Sequence, residues 1–167
     1  MKNVLPFFCV VLVLVGGCDS DRNSLPFYLT HVEEMRRLPR EDLLRMKDDI
    51  LEKSAMLPDR TVSEEPPAIF EEIAVGEIVP ERDQAKGAAM LVRTPDDSLS
   101  LLLVDFSVPN APDLRVAIFT DSKRIERPLR GNAGTQLEPL PPGSYHSVEI
   151  RSSLFDEVFA KATFTKP

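Results

Sequence analysis

Asp113, His146 and Ser152 are the residue types from which a hydrolase assembles an orienting acid, a base and a nucleophile. Such a set needs its members within hydrogen-bond reach. His146 and Ser152 stand six positions apart in a stretch that alternates like a strand. At 3.3–3.4 Å per residue that spacing separates them by about 20 Å. No Gly-x-Ser-x-Gly elbow occurs to lift a serine out of a strand end. The sequence therefore assigns no catalytic residue. Only two histidines, His31 and His146, are present, and with no usable thiol beside them a transition-metal site is not expected. Asp96, Asp97, Asp105 and Asp113 offer hard oxygen ligands of the kind calcium takes. Aspartate is equally a common turn former, and that is the use expected here. Gly131-Asn132-Ala133-Gly134 lacks the Lys-Ser/Thr and the strand-to-helix setting of a phosphate loop. It reads as a tight turn that needs positive φ. Neither a metal nor a cofactor is expected.

The thiols carry a different chemistry. Between Lys2 and Asp19 no residue is charged, and Val4 to Val15 form an apolar run broken only by Pro6. A helix needs about 20 apolar residues to cross a bilayer, and this run is shorter. A positive start, a short apolar segment and small residues before a cut describe a secretory signal peptide. Val15-Gly16-Gly17-Cys18 resembles the lipobox of bacterial lipoproteins. That resemblance implies a diacylglyceryl thioether on Cys18, cleavage just before it, and residues 1–17 as the signal peptide. Anchoring by two or more acyl chains is stable, at roughly 0.8 kcal/mol per buried CH₂. Asp19, directly after, resembles a retention signal for the inner membrane. Cys9 would leave with the signal peptide, so no thiol or disulfide remains, and the exported domain must rely on its own core.

The remaining chain suits one ordinary domain with an appendage. A hydrophobic fraction of 43% is enough for a packed core, and 15 prolines imply many turns. The formal net charge of −7 becomes one unit more negative when Lys2 is removed. That argues against a nucleic-acid partner, which wants a basic face. It also argues against lying flat on anionic lipid, so membrane contact is expected through the lipid alone.

Two regions differ in character. In residues 25–57, Leu29, Val32, Met35 and Leu38 recur three or four apart, and Leu43, Met46, Ile50 and Leu51 form a second stripe. Pro39 separates the two short helices and suits the start of the second. Glu41 and Asp42 near its start, with Lys53 near its end, complement the helix dipole. Residues 58–72, with Pro58, Pro66 and Pro67, have the composition of a linker. Beyond it the period changes to two, and strands are expected near 73–79, 88–94, 99–106, 113–120, 145–152 and 157–164. Leu99, Leu101 and Leu103 share one face and Leu102, Val104 and Phe106 the other, which marks a central strand. The expected architecture is mainly β: an antiparallel β-sandwich preceded by a short helical segment. The divisions are 1–17, 18–57, 58–72 and 73–167. The last is expected to fold without residues 20–66.

Residues 73–164 resemble the DM-thirteen domain, often described as an electron-transfer domain. Lys86-Gly87 opens a strand leading to "LSLLLVDFSV", and "NAPDLRVAIF" matches an Asn-Gly-Pro-Asp-Leu element through Pro112 and Asp113. "LRGNAGTQLEPLP" matches a Leu-Lys-Gly…Gly…Gln…Pro element through Gly131, Gly134 and Gln136, with Glu138 where an aromatic is typical. "YHSVEIRSSLFDEVFAKATF" matches the closing pattern through Tyr145, Phe159 and Ala162. The resemblance implies a β-sandwich. The family's cysteine falls at Ser152 and the tryptophan before it at Arg151. The redox role proposed for that family is attached to the cysteine, and a serine hydroxyl has no thiol chemistry. From the residues themselves, Val148 and Ile150 turn inward and bring Ser152 to the core, where its hydroxyl needs a partner such as a backbone carbonyl. Asp113 is expected to accept backbone N–H groups.

The function expected is therefore that of a lipid-anchored extracytoplasmic lipoprotein. Its sandwich would bind or support another envelope protein without catalysis. The alternative, implied by the resemblance, is service as an electron-transfer or redox-partner domain.

Overall fold

The computed structural model describes residues 31–81 and 84–166. The expected signal peptide, Cys18, Asp19 and Leu29 of the first expected helical stripe lie outside the described residues. Two short helices come first, α1 (Val32–Met35) and α2 (Arg40–Ala55). Ten strands follow: β1 (Thr61–Ser63), β2 (Glu71–Glu77), β3 (Val79–Pro80), β4 (Lys86–Arg93), β5 (Leu99–Ser107), β6 (Leu114–Phe119), β7 (Arg124–Pro128), β8 (Ala133–Leu140), β9 (Ser147–Ser152) and β10 (Glu157–Thr163). They form two five-stranded sheets, β1-β8-β5-β4-β2 and β3-β10-β9-β6-β7. Pairing is antiparallel except between β1 and β8. The architecture is thus mainly β, two stacked sheets with a short helical segment ahead of them.

Alternation builds the space between the sheets. Leu91, Leu101 and Leu103 on one sheet belong to the same apolar cluster as Val116, Ile118, Val148 and Ile150 on the other. β5 lies in the middle of its sheet, as its two apolar faces predict. Leu102 and Val92, whose side chains alternate away from this cluster, are also buried. The topology supplies the reason. The chain leaves β1 at one edge of the sheet and enters β2 at the other. Residues 64–70 must therefore span β8, β5 and β4, about 19 Å at 4.8 Å per strand, which seven extended residues can do. This strap shields the outer side.

The helical segment is not an appendage. Met35, Leu43, Ile50 and Leu51 join the same apolar cluster as the sheets, a burial of roughly 2 kcal/mol for each side chain. Lys47 pairs with Glu157 at the start of β10, and Asn110 Nδ2 donates to Pro58 O at 2.8 Å. α2 thus plugs the end of the sandwich where β5 finishes and β6 begins. The buried stripe is Leu43, Ile50, Leu51 and Ser54, and Met46 stands beside it, 36% exposed. Lys47 takes the place expected of Met46, because its long stem can cover apolar surface while its ammonium reaches Glu157.

The stretch 58–72 differs from the expected linker. Thr61–Ser63 pairs in parallel with Ala133–Thr135, and residues 64–70 are the strap. Strands β3, β7 and β8 also stand where none is expected.

Candidate functional site

Ser152 ends β9, opposite Leu114 at the start of β6. Alternation turns it inward with Val148 and Ile150, and it is fully buried. Its hydroxyl donates to Pro112 O at 2.7 Å, the backbone-carbonyl partner expected for it. Next to it, Ser153 N donates to Asp113 O at 3.0 Å. Asp113 takes a left-handed backbone, φ 51°. Its carboxylate accepts from Arg115 Nε at 3.1 Å and from Arg36 of the α1 C-cap. The expected backbone N–H partners are thus replaced by two guanidinium groups. The hydrogen bond to Asp113 raises the Arg36 pKa above its ordinary value, against the opposing effect of burial. Asp113 therefore ties α1 to the entrance of β6.

Arg151, where the resembling family carries tryptophan, is also buried, and it pairs with Asp156 and with Glu149 at 3.5 Å. His146 lies beyond the other end of β9. Its ring stacks on Phe119 with centroids 6.4 Å apart, and its Nδ1 is 3.0 Å from Ser147 Oγ. Ser152 and Asp113 are thus neighbours while His146 is remote, and the hydroxyl is already committed.

The glycine element does more than turn. Gly134 has φ +107°, and Gly131 does not share this conformation. Both are required by close approach, because a Cβ at Gly131 would run into Arg60 O and one at Gly134 into Val62 O. β1 lies directly against them. Asn132 between them is fully buried, and its Nδ2 donates to Asp59 Oδ1 at 2.7 Å and Val108 O at 2.9 Å. Its Oδ1 accepts from Arg60 N at 2.7 Å. Four residues on, Gln136 is fully buried between the sheets, with Oε1 accepting from Arg130 N at 3.0 Å and Nε2 donating to Glu138 Oε1 at 2.7 Å. Arg130 bridges Glu138 to Glu64, and Glu64 Oε2 accepts from Leu137 N at 2.6 Å. That contact satisfies a donor on β8 beyond the end of β1. The family resemblance points to Gly131, Gly134 and Gln136, but Asn110, Asn132, Arg130 and Glu64 were not singled out from sequence. Asparagine beside glycine or proline is the local signal that was there to find.

Tyr145 is buried, and its hydroxyl donates to Pro141 O at 2.6 Å. This tie back to the chain four residues upstream resembles a tyrosine corner. Burial raises its pKa, and the charge of Arg127 opposes the rise. Phe159 is buried in the core under α2. Asp97 and Asp105 have φ of 65° and 46°, so they serve a turn and a bulge. Asp96 accepts from the hydroxyls of Thr94 and Ser98, which hold its pKa below the usual value. Among the described residues no three His, Cys, Asp or Glu side chains gather as a metal site would need.

Two open hollows stand out among the described residues. One, about 620 Å³, lies between α2 and the sheets and is lined by Leu51, Met56, Val108 and Phe159 with Glu52 and Asp59. Nearby, Ser54 Oγ and Asn110 Oδ1 are buried without a hydrogen-bond partner among the described residues. The other, about 380 Å³, lies at the opposite end beside Ile69 and Phe70. Comparison with known families, with curated proteins and with solved structures found no match.

Proposed function

We propose that this chain is a lipid-anchored lipoprotein of the bacterial envelope whose sandwich acts by binding another envelope protein. The observation that carries the binding role is Ser152. It occupies the position of the resembling family's cysteine, it is fully buried, and its hydroxyl is spent on Pro112 O. A group so placed supports the fold and offers nothing to a substrate. The anchor rests on Val15-Gly16-Gly17-Cys18 after the apolar run. His31 stands thirteen positions after Cys18, so the described domain stays within about 45 Å of the lipid at 3.3–3.6 Å per residue. Asp19 favours the inner membrane.

The anchor is tested by intact mass and fractionation. Wild type should begin at Cys18 and carry diacylglyceryl, and Cys18→Ala should leave the membrane or remain uncleaved. An unmodified Cys18 with unchanged membrane association would end this part of the proposal. The binding role is tested by absorption spectroscopy and voltammetry of the purified protein. A copurifying haem, flavin or copper, or a reversible midpoint potential, would replace it with redox service.

A further inference from the structure

α2 closes one end of the sandwich. At the other end the strap runs into β2 beside the β4–β5 turn. The strap carries Pro66-Pro67-Ala68-Ile69-Phe70, five uncharged residues of which only Pro67 is half-buried and the rest are exposed. Ile69 is 72% exposed and Phe70 37%, and both line the 380 Å³ hollow with Glu71, Arg93 and Asp97. Nothing in the sandwich needs them there, since the core is closed without them. Two adjacent exposed apolar side chains beside a hollow form a small patch that contact with another molecule would cover.

The strap is also ready to bind. Glu64 N donates to Thr135 O at 3.0 Å at one end, and Glu71 pairs with Arg93 in the β2–β4 ladder at the other. Two prolines with fixed φ lie between, so little freedom remains to be lost on contact. Charge selects the occupant. Glu71 and Asp97 line the hollow, and Asp96 stands beside them in the β4–β5 turn. Arg93 is the one cation lining the hollow, and it already lies 3.3 Å from Asp97 and 3.9 Å from Glu71. Such a rim repels anionic lipid and nucleic acid. It attracts a surface of the opposite sign. The tip also lies at the end opposite α1. β5 sets the separation of the two ends at about 27 Å, using 3.4 Å per residue.

We propose that this tip docks a protein partner whose contact surface is an apolar hollow ringed by lysine and arginine. The proposal narrows the binding role to one surface and rests on that role, but it does not depend on the anchor.

The test uses the full chain, isotope-labelled in an uncharged detergent, titrated with a short amphipathic Lys/Leu peptide. An all-Lys peptide and a Glu/Leu peptide are the controls. The Lys/Leu peptide should shift the amides of Ala68 to Glu71, of Arg93 and Thr94, and of Asp96 to Ser98 saturably. Ile69→Ser with Phe70→Ser should weaken binding at least tenfold, as should Glu71→Lys with Asp97→Lys, with circular dichroism unchanged. No binding, equal binding by either control, or shifts spread over Glu52 and Asp59 would overturn the proposal. Phosphatidylglycerol vesicles moving the same amides would make the tip a membrane contact and overturn it. Concentration-dependent shifts without peptide would make it a self-contact, with the same consequence. A partner crosslinked in cells from elsewhere on the domain, with the tip silent, would sink the tip alone and leave the binding role standing.

Discussion

The two ends of the sandwich use their residues in opposite ways. At the plugged end, side chains that look reactive in sequence are consumed by the fold. Ser152 holds Pro112 O, Asp113 holds Arg36 and Arg115, and Asn132 holds Arg60, Asp59 and Val108. At the open end Ile69 and Phe70 hold nothing together and face water. Residue type is therefore a poor guide to function in this chain, and the more telling sign is a side chain for which the fold has no use.

Five experiments can break or sharpen that contrast. Deleting residues 20–66 should have the largest effect. It removes Met35, Leu43, Ile50 and Leu51 from the core and β1 from its sheet, so the product should bind a hydrophobic dye and unfold without cooperativity. A cooperatively folded product would restore the separable stalk expected from sequence. Next, Gly134→Val places a branched side chain at φ +107° and against Val62 O. It should cost about 3 kcal/mol or more in urea unfolding, and near-neutrality would mean β1 does not dock there. Ser152→Ala orphans Pro112 O in the core and should cost about 1–2 kcal/mol.

Tyr145→Phe should cost about 1 kcal/mol at neutral pH, and it carries a pH signature. Burial holds the folded pKa of Tyr145 above the ordinary tyrosine value of 10.0. Its contribution is therefore complete below pH 10.0 and is lost as pH climbs from there through the folded value. Wild type should lose more stability on that alkaline limb than Tyr145→Phe, as read by urea midpoints against pH. The smallest effect on stability belongs to Ile69→Ser, expected within about 0.5 kcal/mol of wild type. A larger loss would give Ile69 a structural role and weaken the contrast between the ends.

The fold was legible where alternation was clean. β5 shows this best, since leucine on both faces of "LSLLLVDF" predicts its central place. β8 escaped because its inward positions include Gln136 and Glu138, polar residues satisfied by Arg130 and by each other. That inverts the usual pattern. β7 reads Arg-Ile-Glu-Arg-Pro, the charged, proline-ended composition of a protected edge. β1 is three residues long in a proline-rich setting, and its pairing depends on glycines some seventy residues away. No local pattern carries such information. Ser152 was placed correctly because strand alternation and the cost of a buried hydroxyl suffice to locate it. The tip was missed because Ile69 and Phe70 sit inside a stretch whose prolines look like a linker, and only the topology makes that stretch a strap.

The most direct test of the contrast is photo-crosslinking in intact cells from position 69 of the full chain, compared with position 79. Val79 is also exposed and apolar, at 54%, but it lies in β3 at the edge of the other sheet. The expected result is one discrete protein adduct from position 69, lost when Glu71→Lys and Asp97→Lys are added, and no such adduct from position 79. The same adducts from both positions, or an adduct from position 69 indifferent to the charge reversals, would contradict a domain that works through its open tip.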